Sequence, residues 1–341
     1  MKLSHSLKIV SMNRDPIYDR ARGIGMILVI YGHMFTGTPF SFIFSFHMPL
    51  FFVISGMLIS KTRVESSYSE WTKHIVKRYL PPLVFFSILG GIVNAIFFKI
   101  PDVKQMCKDF LLHMSSDELL TGAIWFLSML GFVMLLMPLL LRIQKRISFW
   151  GQFHVVVIIT LALLSYLLSK IPYTLPFLIK TIPIALLFVY IGYSFKSTLL
   201  ELTNSKSAKR VVLYTFPLFV VFVFLNRTVN LAIPVYNDLY IYMVCALYGS
   251  LMTMQISTYK LPKFIDYLGE HSLIVFSLHA IWITAFVTIL NHFLGTSYAP
   301  MVDIPFLYVL GGGLLVIFFT ALNTALVLPF YNATLKLLRL K

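Results

Sequence analysis

A chain of 341 residues, 58% hydrophobic and 12% charged, with a mean hydropathy of +0.84, carries about half the charge of a soluble domain, where roughly 25% is usual. Composition therefore excludes a soluble enzyme and describes an integral membrane protein, with one transmembrane domain expected across residues 1–341. The net charge of +15 makes no case for nucleic acid, because Lys and Arg punctuate apolar runs and build no basic polar domain.

At about 20 residues per crossing, ten apolar runs are long enough to span: 21–38, 41–60, 80–98, 122–141, 151–169, 177–195, 211–226, 239–258, 272–290 and 306–328. The expected fold is all-α, a bundle of about ten transmembrane helices. Gly37 breaks the first run, and 211–226 is short. With residues 1–20 in the cytoplasm, 22 of the 28 Lys and Arg fall on cytoplasmic segments and six outside, as the positive-inside rule requires. An odd number of crossings would break this alternation, so both termini, including the tail 329–341, are expected in the cytoplasm. The first eighteen residues lack an apolar core and a small-residue cleavage site, so no cleaved leader is expected. Cys107 falls in a loop and Cys245 in an apolar run; without a CxxC, neither a disulfide nor a zinc site is called for.

Along the chain, ionisable residues stand where hydrocarbon penalises a charge by roughly 2.5–3.5 kcal/mol. Arg22 and His33 in the first run are eleven residues apart. On a helix that is ~16 Å and about three whole turns, so both side chains point the same way. A cation at the inner mouth suits a phosphate-bearing ligand, and a base deeper on the same face suits proton abstraction from a hydroxyl. For Arg22 alone the plainer alternative is a snorkelling flank residue. Asp19, one turn earlier, is placed to orient the arginine or a base. Gly23, Gly25 and Gly32 leave a thin face on this helix.

His47 lies in the second run, just before Met48-Pro49-Leu50, and His279 in the ninth. Each alone is as readily a hydrogen-bonded structural residue; three intramembrane histidines on different helices favour a shared cavity. His5, His74, His113, His154 and His292 fall in loops or at helix ends, where a solvated imidazole needs no explanation. The basic stretch with Lys73, Lys77 and Arg78 reads as a landing site for phosphates or, equally, as a topology signal in contact with lipid headgroups. Pro49, Pro81, Pro82 and Pro183 interrupt helix ladders and free carbonyls near possible cavities or, more simply for most of them, only kink and pack their helices. Trp125 opens the fourth span as an interfacial anchor. Glu270 opens the ninth, where it caps the helix or orients a partner. The histidine spacing gives no recognised metal-ligand pair, and there is no Walker A loop, HExxH or GxSxG elbow.

These residues carry a resemblance. RGIGMILVIYGH (Arg22–His33) holds an Arg, ten residues and a His in the first span. FSFHMPLFFVISG (Phe44–Gly56), KRYLPP (Lys77–Pro82), WFL (Trp125–Leu127), FVYIGY (Phe188–Tyr193) and LGEHSLIVFSLH (Leu268–His279) follow in order. Together they are similar to the landmarks of the membrane-bound acyltransferase 3 family, in the branch resembling fucose 4-O-acetylases. Glu270-His271 departs slightly, standing where that family more often has other polar residues. The resemblance implies an O-acyltransferase of the bacterial cytoplasmic (inner) membrane, moving an acyl group, most often acetyl from acetyl-CoA, onto a hydroxyl of a surface glycan or its lipid-linked precursor. Some members carry a further hydrolase-like domain; the chain ends at Lys341, soon after the last span, and none is expected here.

On that reading acetyl-CoA is a substrate, and no permanently bound cofactor and no metal are implied. The partners are acyl-CoA, the glycan acceptor and membrane lipid, with no nucleic acid. Arg22 and the Lys73–Arg78 stretch meet the donor phosphates, with Trp125 and Glu270 also on the donor or substrate side. His33 acts as general base or as an acyl-histidine nucleophile. His47 and His279 line the same cavity. The alternative is a transporter or flippase for a lipid-linked or anionic solute, which intramembrane histidines and interrupted helices would also serve; no internal repeat is visible in its favour.

Overall fold

The computed structural model of the protein describes residues 15–34, 37–97, 100–116, 124–146, 150–227, 229–297 and 306–337. Among them the regular elements are helical, apart from one antiparallel bridge between Asn230 and Val235. Among the described residues eight helical segments are long and apolar enough to cross a membrane, and Phe153–Ser169 is a shorter apolar one. The protein is an all-α, multi-pass integral membrane protein.

The chain enters through α1 (Pro16–Gly32). Asp15 caps it, accepting from the Ile17 amide at 3.0 Å, and Pro16 sits at its first position, where a missing N–H costs nothing. The helix therefore starts before the expected limit of residue 21 and carries Asp19 and Arg22 within it. It ends at Gly32, earlier than expected. His33 follows as its C-cap, and Gly37 is the first residue of the next helix.

The second apolar run is two helices, α2 (Gly37–Phe44) and α3 (His47–Met57), with a turn at Ser45-Phe46. The Ser45 hydroxyl donates to the Phe42 carbonyl at 2.7 Å and helps close α2. Pro49 sits in the first turn of α3 and Pro183 in that of α9 (Ile182–Ser194). Both prolines start helices there and do not break them, as had been expected.

After the short α4 (Lys61–Glu65) comes α5 (Tyr68–Phe97), continuous through Pro81 and Pro82. Cys107 lies on α6 (Val103–His113), not in a loop. Then follow α7 (Trp125–Arg146) and α8 (Trp150–Ser169), and beyond α9 the short α10 (Lys196–Asn204). The expected short span at 211–226 is the end of a 21-residue helix, α11 (Lys206–Asn226), whose first turn carries the cations. Next are α12 (Leu239–Ile256), α13 (Lys263–Glu270), α14 (Ser272–Leu294) and α15 (Phe306–Leu337). The expected tail at 329–341 is thus helical as far as Leu337. Its last residues, and residues 1–14 of the expected N-terminal segment, lie outside the described residues.

Two helix pairs form the frame around the site. In α3 and α9 the contact is reciprocal. A Cβ on Gly56 would lie 2.0 Å from the Val189 carbonyl oxygen, and one on Gly192 would lie 2.0 Å from that of Val53. In α1 and α13 the same device recurs: Gly23 faces the Ile265 carbonyl at 2.0 Å and Gly269 the Asp19 carbonyl at 1.7 Å, measured to an added Cβ. Backbones this close leave no room for a side chain on the glycine. Arg20 fastens the second pair, donating from Nε to Asp266 Oδ1 at 3.0 Å and toward the Ser257 and Tyr259 carbonyls. Trp71 fixes α5 to α7, its indole donating to the Met134 carbonyl at 2.6 Å.

Candidate functional site

The site has two parts, one at each end of α1. The lower part is a cavity of about 240 Å³. Arg22 and Met26 of α1 line it with Arg78 and Tyr79 of α5, Glu270 at the end of α13 and Ser272 at the start of α14. Arg22 is buried and pairs with Asp19, Nη1 to Oδ1 at 3.4 Å. The alternative of a lipid-facing snorkelling residue does not fit: its charge is held inside the protein, where a carboxylate one turn away offsets part of the desolvation cost. Arg78 is exposed at the rim. Three aromatic rings, Phe51, Phe126 and Phe276, close the inner wall, with centroids 5.7 Å and 5.3 Å apart in succession.

The upper part is the histidine cluster, positioned by helix ends. His33 sits just past α1 and His47 begins α3, so the two chain breaks deliver both imidazoles. His279 arrives from the middle of α14. The His33 and His279 rings meet edge to face, 5.1 Å between centroids. Phe44 lies 6.0 Å from His33 and 4.7 Å from His47. His47 and His279 are buried, and His33 half-buried.

All three rings are held alike. Nδ1 of His33 is 2.8 Å from the Val29 carbonyl, Nδ1 of His47 is 2.8 Å from that of Ile43, and Nδ1 of His279 is 2.6 Å from that of Phe276. A carbonyl only accepts, so each Nδ1 donates its proton, and when such a ring is neutral its lone pair stands on Nε2. Nε2 of His279 is buried with no hydrogen-bond partner in the structure. The two parts adjoin, because Phe276 lines the cavity and its ring lies 5.5 Å from that of His279.

Of the residues singled out in the sequence, Arg22, Arg78 and Glu270 come together at the cavity, and His33, His47 and His279 at the cluster. Lys73 and Lys77 are exposed on α5 and do not line the cavity. Glu270 neither opens nor caps α14: it is the last residue of α13, and His271 stands between the helices. Trp125 is buried at the head of α7 against Phe126, 6.1 Å between centroids, and not spread at a membrane interface. His154 and His74 sit within helices, and the His154 Nδ1 lies 2.8 Å from the Tyr190 hydroxyl of α9.

Sequence reasoning missed Tyr79, Ser55 and Ser272, which line the cavity. Their only signal was polarity beside a motif: Ser55 within FSFHMPLFFVISG and Tyr79 directly after Arg78. Among the described residues no three His, Cys, Asp or Glu are placed to hold a metal ion.

Comparison with known proteins adds to this geometry. No solved structure matches the chain. The nodulation protein NolL of Mesorhizobium japonicum is 30% identical over 151 residues, which is 40% of this chain and 39% of that protein. NolL of Sinorhizobium fredii is 31% identical over 209 residues, 57% of this chain and 52% of its own length. The chain thus spans about half, or less, of the curated relatives it matches. A family model described as an acyltransferase domain matches residues 15–330, which takes in the arginine cavity and all three histidines. The chain therefore belongs to the acyltransferase 3 family.

Proposed function

We propose that the protein is a membrane O-acyltransferase that moves an acetyl group from acetyl-CoA to a hydroxyl of a cell-surface glycan or its lipid-linked precursor in the bacterial inner membrane. The observation that carries this reading is the pairing of an arginine-lined cavity with imidazoles whose basic nitrogens are all oriented by backbone carbonyls. Arg22 and Arg78 bind the donor phosphates through charge-assisted hydrogen bonds, and Asp19 holds Arg22 in place. Nε2 of His33 takes the proton of the acceptor hydroxyl as its oxygen attacks the thioester carbonyl. The carbon–sulfur bond breaks, and the imidazolium returns the proton to the departing thiolate. His279 and His47 orient the acceptor or the thioester beside it. In a covalent variant, Nε2 of His33 attacks the thioester carbonyl and the carbon–sulfur bond breaks to release the CoA thiolate; the acceptor hydroxyl oxygen then attacks the acyl-imidazolium, the nitrogen–acyl bond breaks to return neutral His33, and the hydroxyl proton goes to the thiolate.

The test is transfer by the purified protein in detergent, with [14C]acetyl-CoA and extracted surface glycan, followed by NMR of the product for a new O-acetyl signal. The expected result is label in the glycan with one free thiol released per acetyl moved. A second reading, a transporter for a lipid-linked or anionic solute, draws on the interrupted helix before His47. Label remaining in acetyl-CoA, with solute uptake into proteoliposomes, would replace the first reading with the second.

A further inference from the structure

A second cavity, of about 520 Å³, lies between α11 and α12 and shares no lining residue with the Arg22 cavity. Its residues fall on two helical stripes. On α11, Lys206, Lys209 and Arg210 lead to Leu213 and then Phe216 at steps of three and four. Facing them, Met252, Gln255 and Ile256 fall on α12 at the same spacing, and Tyr259 joins them from the bend three residues past the end of that helix. Each set lies on one helix face, and both run from polar at one end to apolar along the groove.

One end therefore holds three cations and no carboxylate among its lining residues, while the rest offers Val212, Leu213, Phe216, Met252 and Ile256. Lys209 is fixed in place: Nζ donates to Thr258 Oγ1 at 2.5 Å and lies 4.6 Å from the centroid of the Tyr259 ring. The cationic end also coincides with the N-terminus of α11, whose dipole favours an anion. The groove is open along α11, its lining residue Leu213 being 69% exposed.

We infer that this groove binds one anionic glycerophospholipid, its phosphate among Lys206, Lys209 and Arg210 and an acyl chain along Leu213, Phe216 and Met252. A free phosphate would use only the cationic end, whereas a headgroup with a chain uses both. Basic pockets between transmembrane helices recognise anionic headgroups in this way. The site is separate from the proposed chemistry and is tested without any activity measurement.

The experiment is native mass spectrometry of the delipidated full chain, titrated with dioleoyl phosphatidylglycerol, dioleoyl phosphatidylcholine or glycerol 3-phosphate. The first phosphatidylglycerol adduct is expected to form about tenfold more tightly than the phosphatidylcholine adduct. The double variant K206Q/R210Q should bring the two lipids level, while K260Q/K263Q, outside the groove, keeps the preference. Should the double variant not fold, R210Q alone is expected to lower the preference about threefold. Equal binding of the two lipids in the native chain overturns the proposal, as does a preference that survives in the groove variants. Loss of the preference in K260Q/K263Q means attraction to the surface at large. Full competition by glycerol 3-phosphate makes the groove a free-phosphate site. A dimer that dissolves in K206Q/R210Q makes it an interface between copies.

Discussion

The segment Phe40–Met57 and the helix α11 are both apolar stretches of spanning length, yet 78% of the first and 17% of the best window of the second lie inside the protein. The buried one is broken at Ser45-Phe46, and the peripheral one runs unbroken through Pro217. In hydrocarbon each backbone N–H and C=O must be paired within the helix, so lipid-facing helices stay whole. A break is tolerated only where protein supplies the missing partners, and here the breaks deliver His33 and His47. Buried imidazoles and irregular backbone share one location because the same cover serves both.

The comparison can be tested first at its tightest point. Gly192→Val places a side chain where even a Cβ lies 2.0 Å from the Val53 carbonyl oxygen, and a backbone neighbour cannot rotate away. A loss of more than about 4 kcal/mol is expected, seen as absence of a monodisperse peak in fluorescence-detected size-exclusion chromatography. Gly311→Ala on α15, where nothing lies within 4 Å, should elute like the native protein. If both variants fold alike, the central frame is no more demanding than the periphery.

A smaller effect, on chemistry and not on folding, is expected at the break itself. His33→Ala should lower acetyl transfer by about 10²- to 10⁴-fold while leaving the elution profile unchanged. Transfer within a factor of about three of native would move the proton-accepting role to another residue.

The smallest expected effect separates cavity from surface. Arg22→Gln removes a charge-assisted contact and should raise the KM for acetyl-CoA about tenfold. Lys77→Gln, exposed and outside the cavity, should change it by less than about twofold. Equal shifts would mean that the basic stretch at large, and not the cavity, gathers the donor.

Much of this was legible in order and spacing. The apolar runs marked helices because every spanning segment must be apolar enough for lipid, and the polar residues within them marked where to look for a site. Other features escaped for one reason: hydropathy reports what a segment tolerates, not what covers it. The charged first turns of α1 and α11 fell outside the expected spans although both belong to their helices. Trp125 looked like an interfacial anchor because its type is common there, and burial beneath neighbours leaves no trace in composition.

The sequence by itself determined an all-α, multi-pass membrane protein, since that depends on local composition and on the length of each apolar run. Tertiary structure alone decided that Glu270 ends a separate helix held to α1 by Gly23 and Gly269, that Arg78 but neither Lys73 nor Lys77 joins Arg22, and that His279 meets His33. Those outcomes depend on which backbones approach closely enough to touch. That is set by packing between residues far apart in the chain, such as Arg20 and Asp266, 246 positions from each other, and not by any local pattern.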